Sequence, residues 1–197
     1  MPAGRLVVSL EEALKAADEL GFPLALKAQS SHLPHKSEAG AVALDIRDGA
    51  LLRSAWTKMQ DRLAAVPLDG MLLERMSEAG VEIIIGARNE AGWGPVIMVG
   101  LGGILTELLQ DVVFIPAGVG RTQIEQALRS LKGAKLFDGY RGSPPADVDA
   151  AITVVESLSA LLLQHPEIVE ADLNPVRIHA RGQGATVLDA LFVVGNS

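Results

Sequence analysis

Apolar residues recur at helical spacing at Leu10, Leu14, Ala17 and Leu20, behind a Ser9/Glu12 pair that can cap the first turn reciprocally, with Gly21 as the stop. This pattern predicts a short amphipathic helix. The run Phe22 to Lys27 is apolar up to its terminal lysine and predicts a buried strand. Gln29 to Gly40 is rich in Ser, His, Pro and Gly and has no period, so it predicts a loop before a second strand at Ala41 to Ile46. Asp48 is placed to cap a helix over Leu51 to Ala65. Gly70 to Met76 and Val81 to Ala87 flank Ser77-Glu78-Ala79-Gly80, a spacing that predicts a β-hairpin. A strand over Pro95 to Val99, a glycine-rich loop at Gly100 to Gly103 and an apolar run through Phe114 follow. Helices are predicted at Thr122 to Leu131 and Pro145 to Leu163, and a second hairpin closes the chain. Only Gly139 to Pro145 reads as a linker. The elements together make an α+β protein.

The 197 residues carry a formal net charge of -7, with acids scattered along the chain and no basic cluster or aromatic platform, which argues against a nucleic-acid partner. There is no cysteine and no signal-peptide pattern, and the apolar runs are too short to span a bilayer. A cytoplasmic protein without a membrane segment is expected.

From Ile168 to Ile178 polar and apolar residues alternate, so Glu170, Asp172 and Asn174 are expected on one strand face and Ala171, Leu173 and Pro175 on the other. A hairpin centred near Gly182 would set Asn174 opposite Asp189 or Ala190. One amide oxygen and one carboxylate suit magnesium, which takes few hard ligands and keeps positions for water and phosphate. Taken alone, the same residues are also what a solvated sheet face carries.

Lys27, at the end of an apolar strand, could reach a phosphate, and His35 is a nucleophile with Lys36 beside it to offset phosphate charge. His32, His165 and His179 read as ordinary surface histidines. Gly100, Gly102 and Gly103 could bring backbone N–H groups against phosphate oxygens, or simply make a tight turn. In the first predicted hairpin, Glu74 falls opposite Glu82, two carboxylates at a strand edge where a nucleotide amine or ribose hydroxyl could bind.

Ala25-Leu26-Lys27-Ala28, His35-Lys36-Ser37-Glu38-Ala39-Gly40, Glu82-Ile83-Ile84-Ile85-Gly86, Gly94-Pro95-Val96, Gly100-Leu101-Gly102-Gly103, Gly139-Tyr140-Arg141-Gly142 and Asp172-Leu173-Asn174-Pro175 occur in this order. Together they resemble the ATP-grasp domain of NDP-forming acyl-CoA synthetases, such as ADP-forming acetyl-CoA synthetase, with the succinyl-CoA synthetase β subunit more distant. The resemblance implies two lobes, about residues 1–72 and 73–197, enclosing ATP/ADP and Mg2+. It implies that Lys27 contacts phosphates, Glu74 lies at the adenine hinge, Glu82 faces the ribose, and Asn174 and Asp189 ligate magnesium. His35 would be a phosphohistidine on a swinging loop, with Asp172 orienting or stabilising it.

What the resemblance implies in function is the nucleotide half of an ADP-forming acid–thiol ligase. Gly40-Ala41 departs from the family's two glycines, a small change. The CoA-binding and ligase domains are not in the chain and are the expected partners, in cis or as another subunit; the Met-Pro-Ala-Gly start favours a domain excised from a longer synthetase. The competing reading is a non-catalytic nucleotide-binding or regulatory module of a protein lysine acetyltransferase. Retention of His35, Asp172, Asn174 and Asp189 argues for catalysis.

Overall fold

A computed structural model of the chain describes residues 1–30, 39–90, 92–103 and 111–195. They form two compact units, Pro2–Ser77 and Glu78–Ser197. The lobe boundary expected near residue 72 falls inside a strand of the first unit, and the chain passes between units only after Ser77.

The first unit is a four-stranded antiparallel sheet in the order β1 (Gly4–Val7), β4 (Gly70–Arg75), β2 (Leu24–Gln29), β3 (Val42–Ile46). Its helices are α1 (Leu10–Leu20) and α2 (Gly49–Arg62). Ser9 caps α1 by accepting from Glu12 N, and the Glu12 carboxylate accepts from Val8 N at 2.9 Å, so the reciprocal cap expected from the sequence forms one residue wider. Asp48 caps α2 through Leu51 N. Leu24, Leu26 and Leu73 of the sheet pack with Leu52, Trp56 and Met59 of α2. Each fully buried leucine contributes roughly 1.5–3 kcal/mol.

The second unit is a six-stranded sheet ordered β10 (Ala190–Val194), β8 (Ile168–Ile178), β5 (Val81–Glu90), β6 (Gly94–Leu101), β7 (Val112–Pro116), with β9 (Ala185–Val187) also paired to β8. Alternation along β5 and β6 turns Ile83, Ile85, Ala87, Ile97 and Val99 toward a core shared with α3 (Arg121–Ser130) and α4 (Val148–Gln164). Glu82, Ile84, Gly86 and Arg88 therefore belong to the opposite face, which is partly or fully exposed.

Three sequence expectations change here. β4 and β5 are not a hairpin: β4 pairs with β1 and β2, whereas β5 pairs with β6 and β8. Adjacent strands with turn-like residues between them are here the last strand of one sheet and the first of the next. The Gly139–Pro145 stretch is no linker either. It is a folded turn inside the second unit, where Ser143 N donates to Tyr140 O and Ala146 N donates to Phe137 O. Finally, strict alternation along β8 breaks at Asn174–Pro175. Ile83 pairs with Val176 but Ile85 pairs with Leu173, so β8 spends an extra residue there and Val176 takes the buried face expected of Pro175.

Among the described residues no helix is long and apolar enough to cross a membrane.

Candidate functional site

Asn174 and Asp189 are brought together by the closing hairpin. β8 and β9 pair Val176 with Val187, β8 and β10 pair Leu173 with Ala190, and between them Asn174 N donates to Asp189 O at 3.1 Å. The two residues are thus directly opposed, one of the two pairings that the hairpin arithmetic allows. The turn that sets this register is anchored by Asp147, the N-cap of α4. Its carboxylate accepts from Ala150 N and from the turn amides Gly182 N and Gly184 N, the last two at 2.9 Å. These amide donors, Gly184 first, together with Arg181, hold the Asp147 carboxyl below its usual range.

Asp189 Oδ1 accepts from Ala190 N at 3.1 Å, and Asp189 is partly buried. Among the described residues no three His, Asp or Glu side chains form a metal-binding cluster. One amide and one carboxylate on opposed positions fit magnesium, which retains waters and takes phosphate oxygens, better than they fit a cation needing a full protein cage.

Asp172 lies on the open face of the sheet, opposite Gly86 on β5 and Leu191 on β10. It borders a groove of about 460 Å³ with Gly86, Arg88, Met98, Phe114 and Glu170. Arg88 donates to Glu170 through Nε and Nη2, at 3.3 and 3.1 Å, across the same strand pair. Arg88 and the groove itself are not apparent from sequence, because they depend on four strands meeting at one register.

Glu82 stands at the start of β5, not opposite Glu74 but opposite Arg177 of β8, with which it forms an ion pair. The backbone of Gly102 closes on it: Gly102 N donates to Glu82 O at 2.7 Å, and a Cβ on Gly102 would lie 2.9 Å from Glu82 Cβ. Gly103, at φ +71°, follows. Gly100 is not part of a loop. It is a β6 residue between Ile84 and Val112, where a Cβ would meet Val112 Cγ1 at 2.9 Å. Its lack of a side chain serves strand packing, and of the three glycines expected in a loop Gly102, half-buried, and Gly103, exposed, follow the strand beside Glu82.

In the first unit, Lys27 does not run out to solvent. It is 8% exposed, and its Nζ lies 2.6 Å from Glu74 Oε2. The approach is that of an ion pair outside good hydrogen-bond angles, since the same oxygen has no hydrogen-bond partner among the described residues. Register explains the meeting: β2 and β4 pair Ala25 with Glu74 and Lys27 with Leu72, which makes Lys27 and Glu74 diagonal neighbours on one face. Glu74 also packs over Gly4, where a Cβ would lie 2.8 Å from Glu74 Cγ.

His35 and Lys36 lie outside the described residues, as does His32. His165 pairs with Glu167 in the open. His179 is no surface residue: it is 8% exposed, with Nε2 2.8 Å from Thr186 Oγ1 and Nδ1 3.4 Å from Ala79 O. It follows the last residue of β8 and is buried beside Ile178, held by these two contacts where an ordinary surface position was expected.

Residues 1–194 match a family model described as the ATP-grasp domain. A trans-feruloyl-CoA synthase of an unknown prokaryotic organism is 37% identical over 98% of this chain, which covers 28% of that protein. The chain thus spans less than a third of that relative's length. The β subunit of acetate–CoA ligase (ADP-forming) II of Pyrococcus furiosus is 34% identical over 98% of this chain and 84% of the subunit. Among solved structures, dinucleotide-forming acetyl-coenzyme A synthetase 1 of Ca. Korarchaeum cryptofilum was captured with coenzyme A and Mg-AMPPCP, its phosphohistidine segment pointing towards the nucleotide-binding site. It matches with a TM-score of 0.81 and 32% identity over 98% of this chain and 84% of that one. The near-complete family match makes the chain a member of the ATP-grasp domain family.

Proposed function

We propose that the chain is the nucleotide-binding and phosphoryl-transfer component of an ADP-forming acyl-CoA synthetase, working with CoA-binding and ligase domains in cis or on another subunit. The observation that carries this reading is the opposed pair Asn174 and Asp189, two residues along β8 from Asp172, which lies on an open sheet face. The relatives' names and the nucleotide complex of the Korarchaeum enzyme support the same assignment.

In this reading Glu82 binds the ribose and Lys27 the phosphates, while Gly102 and Gly103 let the backbone approach the nucleotide. Asn174 and Asp189 hold magnesium, which when bound offsets the charge on the transferring phosphoryl group. An imidazole nitrogen of His35 attacks the γ-phosphorus, the bond to the ADP oxygen breaks, and ADP leaves. Asp172 stabilises the imidazolium that His35 becomes, and Lys36 offsets the charge of the phosphoryl group it carries. In the direction of thioester synthesis, acid, CoA and ATP give acyl-CoA, ADP and phosphate. The acidic, cysteine-free chain is assigned to the cytoplasm.

The test is incubation of the chain with magnesium and γ-labelled ATP, with and without the CoA-binding domains. Acid-labile, base-stable label that disappears in His35→Ala supports the assignment. Label that persists unchanged in that variant overturns it.

A further inference from the structure

Glu82 and Arg177 are built as a unit. They face each other across β5 and β8, their side chains are 32% and 19% exposed, and Arg177 Nη2 donates to Glu82 Oε1. Both stems are clamped by glycine backbone. A Cβ on Gly80 would fall 3.0 Å from Arg177 Cγ, and one on Gly102 would fall 2.9 Å from Glu82 Cβ. Arg177 Nη1 also reaches Glu78 O at 3.5 Å, a long contact that tethers the guanidinium to the segment leading into β5.

The consequence is an asymmetric carboxylate. Oε1 is committed to Arg177, while Oε2 has no hydrogen-bond partner among the described residues and lies on the side of Gly103, 3.8 Å from where that residue's Cβ would be. A carboxylate held in this way is fixed in rotamer, with one oxygen left to accept from an incoming hydroxyl. A planar guanidinium does this better than an ammonium, because its fork constrains the direction of approach.

We infer that Arg177 is a positioning residue that aims Glu82 Oε2 at the ribose hydroxyls of the nucleotide and thereby sets discrimination for a ribonucleotide. The inference rests on the assignment of Glu82 to the ribose made above. An arginine acting through Glu82 at the ribose is expected to affect di- and triphosphates equally.

Equilibrium binding of Mg-ATP, Mg-ADP, 2′-deoxy-ATP and 3′-deoxy-ATP to the full chain tests this, with wild type beside Arg177→Met and Arg177→Lys. Wild type is expected to favour ATP over at least one deoxy analogue by about tenfold, the value of a hydrogen bond to a charged group. Arg177→Met is expected to weaken ATP and ADP alike by about tenfold and bring the deoxy analogues to parity, with Arg177→Lys restoring part of the preference. An Arg177→Met protein that loses affinity but keeps the wild-type preference overturns the inference, since a purely structural residue would behave so. Preserved preference in Arg177→Lys with an unfolded Arg177→Met overturns it equally if wild-type affinity is also preserved. Failure of wild type to bind any nucleotide would instead remove the assignment on which the inference stands.

Discussion

Lys27 Nζ and Glu74 Oε2 lie 2.6 Å apart with side chains only 10% and 3% exposed, so the lysine expected to meet phosphate is neutralised within its own sheet. A buried charge is costly unless paired, and removing one partner leaves the other uncompensated. Lys27→Met is therefore expected to lose about 3–5 kcal/mol of stability in urea unfolding. The double variant Lys27→Met/Glu74→Met should recover most of that loss while remaining defective in Mg-nucleotide binding. Recovery of binding together with stability would show that Lys27 has only a structural role.

Asp147 links α4 to the turn that holds Asn174 opposite Asp189, through Gly182 and Gly184. Its carboxyl is depressed when folded, so the stability it contributes is present above its unfolded value near pH 4 and is lost as pH falls through the lower folded value. Stability measured from about pH 6 down to pH 2 should show this acid-side loss in wild type and a shallower one in Asp147→Asn. Asp147→Ala should cost about 1–2 kcal/mol at neutral pH through the lost cap. Faster amide exchange at Gly182 and Gly184 is the local readout, and unchanged exchange would contradict the anchoring role.

The opposed Asn174 and Asp189 lead to a metal prediction. Asp189→Asn should raise the magnesium concentration needed for half-maximal ATP binding by about tenfold or more, with a smaller rise for Asn174→Ala, because the charged ligand contributes more to a hard cation. Chelation of divalent cations should weaken wild-type ATP binding and have little further effect on Asp189→Asn. A magnesium titration of nucleotide affinity decides it, and identical curves for all three proteins would reject the ligand assignment.

Gly102 offers a steric test beside Glu82. Its added Cβ would sit 2.9 Å from Glu82 C and Cβ and 3.0 Å from Glu82 O, contacts that rigid backbone cannot relieve without a shift. Gly102→Ala should cost about 1–3 kcal/mol and weaken nucleotide binding by displacing Glu82. Thermal unfolding and equilibrium binding measured together check this. A stable variant with intact binding would mean the backbone there yields easily.

The sequence by itself determined the local elements. The Ser9 and Asp48 caps start α1 and α2 where the apolar period begins, and the α4 and β8 segments fall where their periods place them. It also narrowed the partner of Asn174 to Asp189 or Ala190, because a hairpin's register is fixed by the few residues of its turn, and the structure selects Asp189. Tertiary structure alone decided which strands separated in sequence become neighbours. Local pattern could not assign β4 and β5 to different sheets, set Glu74 beside Lys27 instead of Glu82, or set Arg177 beside Glu82, since each pairing depends on strands joined only by the fold. The extra residue at Asn174–Pro175 was hidden for the same reason: a bulge exists only relative to the partner strand it is counted against.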